Sequence, residues 1–147
     1  MNRKLFFGSV ILLMVIMFSS CSFPKALVIN YQVDNENTGT LVLQPSRATG
    51  NTSVTINDNL LVDNQYVKKV TIKNIPEGEY DVHYISNNSW YKNKLDQNFN
   101  IKMKKNKIVT KLIEVPPYST GYWIYQGCVY SAEVTSWILI MVWLSSL

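Results

Sequence analysis

The fold of this chain is read first in Asn74-Ile75-Pro76-Glu77-Gly78-Glu79-Tyr80-Asp81-Val82-His83-Tyr84. Tyr80, Val82 and Tyr84 alternate with Asp81 and His83, the pattern of a strand with one face buried and one face wet. Pro76 pre-sets a turn ahead of that strand, and Gly78 is the residue suited to supply a positive φ there. Working upstream, Val54 and Ile56 alternate within residues 53–57, and Asp58-Asn59 predicts a tight turn into Leu60-Leu61-Val62. Asp63-Asn64-Gln65 predicts a further turn. Residues 66–72 then read as a strand, with Val70 and Ile72 inward and Lys69, Thr71 and Lys73 outward. Residues 26–32 (ALVINYQ) and 40–44 (TLVLQ) are strands by their β-branched and aromatic content, the second stopped by Pro45. Between them, residues 34–39 (DNENTG) are a turn by composition and lack the ligand spacing of a calcium loop. Downstream, residues 99–103 and 107–115 predict a last hairpin joined by Lys104-Lys105-Asn106, within the most basic segment of the chain.

The stretch from Asn74 to Val82 is similar to the N-[LI]-P-x-G-x-Y-x-V signature of small periplasmic and surface β modules. These are the prealbumin-like, carboxypeptidase-regulatory-like and PEGA domains, and the resemblance covers about residues 41–85. It implies a mainly β fold: a single antiparallel β-sandwich, Ig-like or prealbumin-like, of about seven strands over residues 26–115. It implies little about chemistry, because such modules serve as spacers, binders and assembly parts.

The beginning of the chain carries a second message. Arg3 and Lys4 precede a run, residues 5–18, that is apolar except at Gly8 and Ser9, and Phe18-Ser19-Ser20-Cys21 follows. The run is short for a membrane span, which needs roughly 20 residues. This layout resembles the lipobox of bacterial lipoproteins, with Phe18 where that family usually has Leu. The resemblance implies a signal helix over residues 1–20, cleavage before Cys21 and a diacylglyceryl and acyl lipid on the Cys21 thiol. No other cofactor is implied. Residues 21–25 would be a short tether to the membrane. It places the protein in the cell envelope, and Ser22, standing where a retention-type Asp would be, favours the outer membrane over the inner.

The far end repeats the apolar theme. Pro116-Pro117 ends the β region, and residues 116–147 are aromatic and then aliphatic, with Glu133 the only charge. Tyr118, Tyr122, Trp123, Tyr125 and Tyr130 crowd together ahead of Trp137, Trp143 and the aliphatic residues between them. An aromatic belt leading into an apolar segment suits a membrane interface, so Trp123, Trp137 and Trp143 are candidate membrane contacts. The expectation is a C-terminal helix in or on the membrane. A helix packed on protein and a final pair of buried strands are the alternatives. A spanning tail would argue for the inner membrane, against the reading of Ser22.

Charge and side-chain inventory narrow the function. The chain has 147 residues and a formal charge of +4, of which Arg3 and Lys4 supply two. That excess is too small to argue for nucleic acid. There are two cysteines; with Cys21 lipidated, Cys128 is left as a buried apolar thiol. His83 is the only histidine, and no metal-ligand cluster, phosphate loop or serine elbow occurs, so an enzyme is not expected. The partners expected are membrane lipid and an envelope protein, in a structural or interaction role. One alternative is a surface module that binds glycan or peptide through Trp90 and Tyr91 in the loop 86–94. A small enzyme is the minor alternative.

Overall fold

The computed structural model describes residues 23–31 and 37–145. The signal segment, Cys21 and the first half of the first predicted turn lie outside the described residues. Seven strands are described: β1 (Lys25–Asn30), β2 (Thr38–Pro45), β3 (Thr49–Ile56), β4 (Asn59–Pro76), β5 (Gly78–Ser86), β6 (Leu95–Met103) and β7 (Ile108–Ile113). One helix, α1 (Thr120–Ser145), follows them. The strands form one sheet in the order β6-β5-β3-β4-β2-β7, with β1 added on β4.

The sheet is mixed, which corrects the expectation of an antiparallel sandwich. β1 runs parallel to β4, and β2 parallel to β7, while the other pairings are antiparallel. The physical reason lies in β4. Its 18 residues would measure roughly 60 Å if straight. Instead it bends and serves two sets of neighbours. Its first half, up to Val67, pairs with β3; its second half, from Val67 onward, is flanked by β1 and β2. Bending is eased where the β3–β4 register shifts, and where Asn51 (φ 49°) and Asn64 (φ 49°) adopt left-handed backbone. Residues 63–65 are therefore an irregularity inside a strand, not the predicted turn. The tight turn upstream is at Asn57 (φ 46°) and Asp58 (φ 64°), a two-residue connection of the primed kind that suits twisted strands.

The curl brings the two ends of the sheet together. β6 and β7 are consecutive in the chain yet stand at opposite ends of the strand order. They face each other across a nearly closed seam, where Gln97 Nε2 donates to the Glu114 carbonyl at 3.2 Å and the Lys111 ammonium sits 4.9 Å from the Phe99 ring centre. The predicted last hairpin is thus a crossover: β7 pairs with β2 and not with β6. The turn at residues 104–107 is pinned to β2, with the Asn106 N–H on Thr38 O (2.8 Å) and the Thr40 N–H on Lys107 O (2.9 Å). Gly39 permits this approach. A Cβ there would stand 2.8 Å and 2.9 Å from the carbonyl oxygens of Lys104 and Lys107.

The core is the inward face of the curl: Leu41, Leu43, Val54, Ile56, Val67, Val70, Ile72, Ile75, Val82, Tyr84, Met103 and Ile113 have no exposed surface. Val70 and Ile72 point inward and Lys69 and Lys73 outward, as the alternation predicts. Tyr84 buries its hydroxyl too, sharing a 2.6 Å hydrogen bond with Thr49, which Thr52 Oγ1 also approaches at 2.8 Å. Burial pushes the Tyr84 hydroxyl pKa up, and these two hydroxyls work against that. At the β4–β5 corner Gly78 has the positive φ expected of it, 159°, and Asn74 (φ 58°) also carries left-handed backbone.

Candidate functional site

Strand directions place several ends at one pole of the sheet. β2 ends at Pro45 opposite Ile113, the end of β7, and β3 begins after three intervening residues, at Thr49. Thr49 lies opposite Val67, and Val67 lies opposite Lys25, the first residue of β1. Two strand spacings, about 10 Å, therefore separate the start of β1 from the start of β3. From this same pole the chain leaves β7 through Pro116-Pro117 and enters α1.

At the foot of α1 a cluster of rings surrounds one cation. The Arg47 guanidinium carbon lies 4.3 Å from the Tyr118 ring centre and 5.6 Å from that of Tyr91. Its Nη2 donates to the carbonyls of Val115 and Pro116, the residues that lead from the sheet to the helix. Among the described residues no carboxylate lies within ion-pair distance of it. Tyr118 stacks on Tyr122 at 4.0 Å, and Trp90 stacks on Tyr125 at 5.2 Å and meets Tyr122 edge-on at 5.9 Å. Backbone bonds tie the same parts: Ser119 N–H to Trp90 O (2.8 Å) and Lys92 N–H to Pro117 O (2.9 Å).

These contacts decide what the loop aromatics can do. Tyr91 is 6 % exposed and packs on Tyr118, so it belongs to the floor of the cluster. Burial raises its hydroxyl pKa, chiefly by desolvation. Trp90 is 38 % exposed, and one face of its ring is taken by Tyr125. Trp90 and Tyr91, the residues named for ligand contact, thus also pack against the foot of the helix. Arg47 is the member that sequence reasoning did not single out. A lone arginine in a polar loop gives no sign that its rings lie 44 and 71 residues downstream.

Above this foot, α1 has 26 residues, about 39 Å, and none of them is buried. Trp123 is 63 % and Trp137 56 % exposed, and Trp143 is half-buried near the far end. Cys128 is exposed on this helix, which corrects the expectation of a buried thiol. The side-chain hydroxyls of Ser131, Thr135 and Ser136 each donate, at 2.8 Å, to the carbonyl four residues back. That removes their need for water. Glu133 and Gln126 have no such bond to the helix backbone. By length and composition α1 could cross a membrane.

Elsewhere the surface offers little chemistry. His83 Nε2 on β5 and Asp96 Oδ1 on β6 are 2.6 Å apart, and Lys94 Nζ, just ahead of β6, donates to Asp96 Oδ2 at 2.9 Å. Among the described residues no three of His, Cys, Asp and Glu are grouped to hold a metal ion. A shallow groove on β5 and β6 is lined by Glu79, Tyr80, Asp81, Asn100, Ile101 and Lys102, and the 3.0 Å Lys102–Glu79 ion pair joins two of these residues. No protein-family model matches the chain, and no curated protein matches it.

Proposed function

We propose that this protein is a membrane-anchored bacterial lipoprotein of the cell envelope, whose β module does structural or protein-interaction work close to the bilayer. One observation carries the reading: an apolar helix with no buried residue rises from an aromatic collar at the pole where β1 also begins. An exposed apolar surface of this size needs lipid or protein around it. The collar of Trp90, Tyr122, Trp123 and Tyr125 is of the ring types that favour the headgroup level. Because β1 starts at that pole, lipid on Cys21 and the helix α1 would enter the same bilayer. A lone acyl chain binds only marginally, so several chains or a second anchor are needed for stable attachment. The likeness to PEGA and prealbumin-like modules is kept as part of the proposal; it draws support from Pro76 and Gly78 flanking the β4–β5 corner.

Membrane fractionation with intact-mass analysis tests this. Wild type is expected in the membrane fraction, with a mass that begins at Cys21 and includes acyl chains. Cys21→Ala is expected to lose the acyl mass yet stay in the membrane through α1. Removing residues 120–147 from Cys21→Ala is expected to weaken retention, leaving only the uncleaved leader. An unmodified wild type found in the soluble fraction would refute the reading.

A further inference from the structure

Two groups of unpaired lysines stand at opposite ends of the sheet. One is at the pole from which α1 departs. Lys25 opens β1 there, and Lys68 and Lys69 follow Val67, the residue of β4 that lies opposite both Lys25 and Thr49. The register of β1 on β4 passes from Lys25 opposite Val67 to Ala26 opposite Lys69, so Lys68 is the extra residue of a bulge. A regular strand would turn one of two successive side chains inward; here Lys68 and Lys69 are both exposed. Lys92 completes the group, its N–H donating to Pro117 O in the linker to α1. The other group, Lys104, Lys105 and Lys107, lies in the turn pinned to the start of β2. Among the described residues no carboxylate is within ion-pair distance of the lysines in either group.

We propose that the pole group is a docking surface for anionic lipid headgroups around the point where α1 enters the bilayer. Charge complementarity and placement carry it together. At this pole Glu114, just past β7, is exposed, and the Asp96 carboxylate is already held by His83 and Lys94, which leaves the four ammonium groups in excess. Phe23, 81 % exposed and two residues ahead of Lys25, and Trp90, two residues ahead of Lys92, add rings of the kind that settle at headgroup level. α1 makes no extended contact with any strand, so with the helix in lipid this pole stands at the membrane surface. Lysines near a negative surface are drawn to it, and the attraction fades within a Debye length, about 8 Å in physiological salt. The turn at residues 104–107 sits at the far end of β2, a strand of 8 residues that measures about 23 Å from end to end. Its lysines are therefore out of range of those headgroups.

The inference rests on the membrane reading. Its test uses the full-length chain in phosphatidylcholine bilayers doped with spin-labelled phosphatidylglycerol or spin-labelled phosphatidylcholine. Electron paramagnetic resonance then reports how much of each labelled lipid the protein holds. Phosphatidylglycerol is expected to be preferred about five-fold in dilute salt, and the preference to vanish at about 1 M salt, where the Debye length is about 3 Å. Lys25→Gln, Lys68→Gln, Lys69→Gln and Lys92→Gln together are expected to bring it below about two-fold. Lys25→Arg, Lys68→Arg, Lys69→Arg and Lys92→Arg together are expected to keep it, which separates lost charge from lost fold. Lys104→Gln, Lys105→Gln and Lys107→Gln together are expected to leave it unchanged. Equal association of both lipids with the wild type would overturn the proposal. So would a preference that the distal changes abolish and the glutamines at the pole do not. A chain that will not enter bilayers refutes the membrane reading and this inference with it; a chain inserted in them without a lipid preference refutes this inference alone.

Discussion

Ile72 in β4 has no exposed surface, whereas Ile138 in α1 keeps 57 % of its own. The two residues are chemically identical, so the difference lies in what each region has been given to bury against. In the sheet, every second side chain finds others across the curl, and polar neighbours cover the outside. In α1, the Trp, Ile, Leu, Val and Met residues point in all directions, with no opposite polar face. An all-round apolar helix is at home in lipid or inside a larger assembly. One chain thus holds a module folded for water and a helix folded for another surrounding, and the Arg47 cluster is where they meet.

The comparison breaks most visibly under core truncation. Ile72→Ala leaves a cavity where the sheet cannot fully collapse and is expected to cost about 2–5 kcal/mol. Ile138→Ala removes the same atoms from an open helix face and is expected to shift sheet stability by less than about 0.5 kcal/mol. Chemical denaturation in mild detergent, following the sheet transition, checks both. Equal losses would mean that the helix shares the sheet's core, and the division drawn above would fail.

A smaller effect is expected at the junction. Arg47→Met deletes the cation between Tyr118 and Tyr91 and the donor to Val115 O and Pro116 O. The loss is expected to be about 2 kcal/mol, from roughly one cation–π contact and one or two hydrogen bonds. Arg47→Lys should recover little, because an ammonium lacks the flat fork that reaches carbonyl and ring together. Trp90 fluorescence is expected to shift as its stack on Tyr125 loosens. An unchanged stability and spectrum would show that the helix foot is held by the rings alone.

How much of this could be read from the residues differs between the two regions for a physical reason. Alternation is a local property, so the strands around Val54, Val70 and Val82 and the inward side of each were legible. So was the apolar helix, since Pro116-Pro117 and the run to Leu144 are local too. Pairing partners were not. That β7 lies parallel to β2, 68 residues away from Thr40 to Ile108, depends on the bend in β4 and on Gly39 admitting the crossover. A turn-like composition at Asp63-Asn64-Gln65 hides that bend, because a bulge and a turn call for the same residues. The candidate site was half legible. Trp90 and Tyr91 were noticed as aromatics in a polar loop, but their covering by Tyr118 and Tyr125 is a long-range contact.

The smallest expected effect tests whether acid acts on the sheet alone. Asp96 has its carboxyl pKa held below the ordinary 3.8, first by the hydrogen bond from His83 and then by Lys94. A carboxylate with a depressed folded pKa adds stability above the unfolded value, and that stability is lost as pH falls through the folded pKa. The loss therefore lies below pH 3.8. Because the pair is well exposed, solvent screening keeps the contribution under about 1 kcal/mol. Asp96→Asn is expected to lower the sheet's melting midpoint slightly at pH 7 and to remove that step from the acid limb. Glu133→Gln, on the helix, is expected to leave the sheet's acid limb as it was. If the helix substitution changed the acid unfolding of the sheet and Asp96→Asn did not, the carboxylate that couples to folding would be in α1, and the two regions would unfold as one.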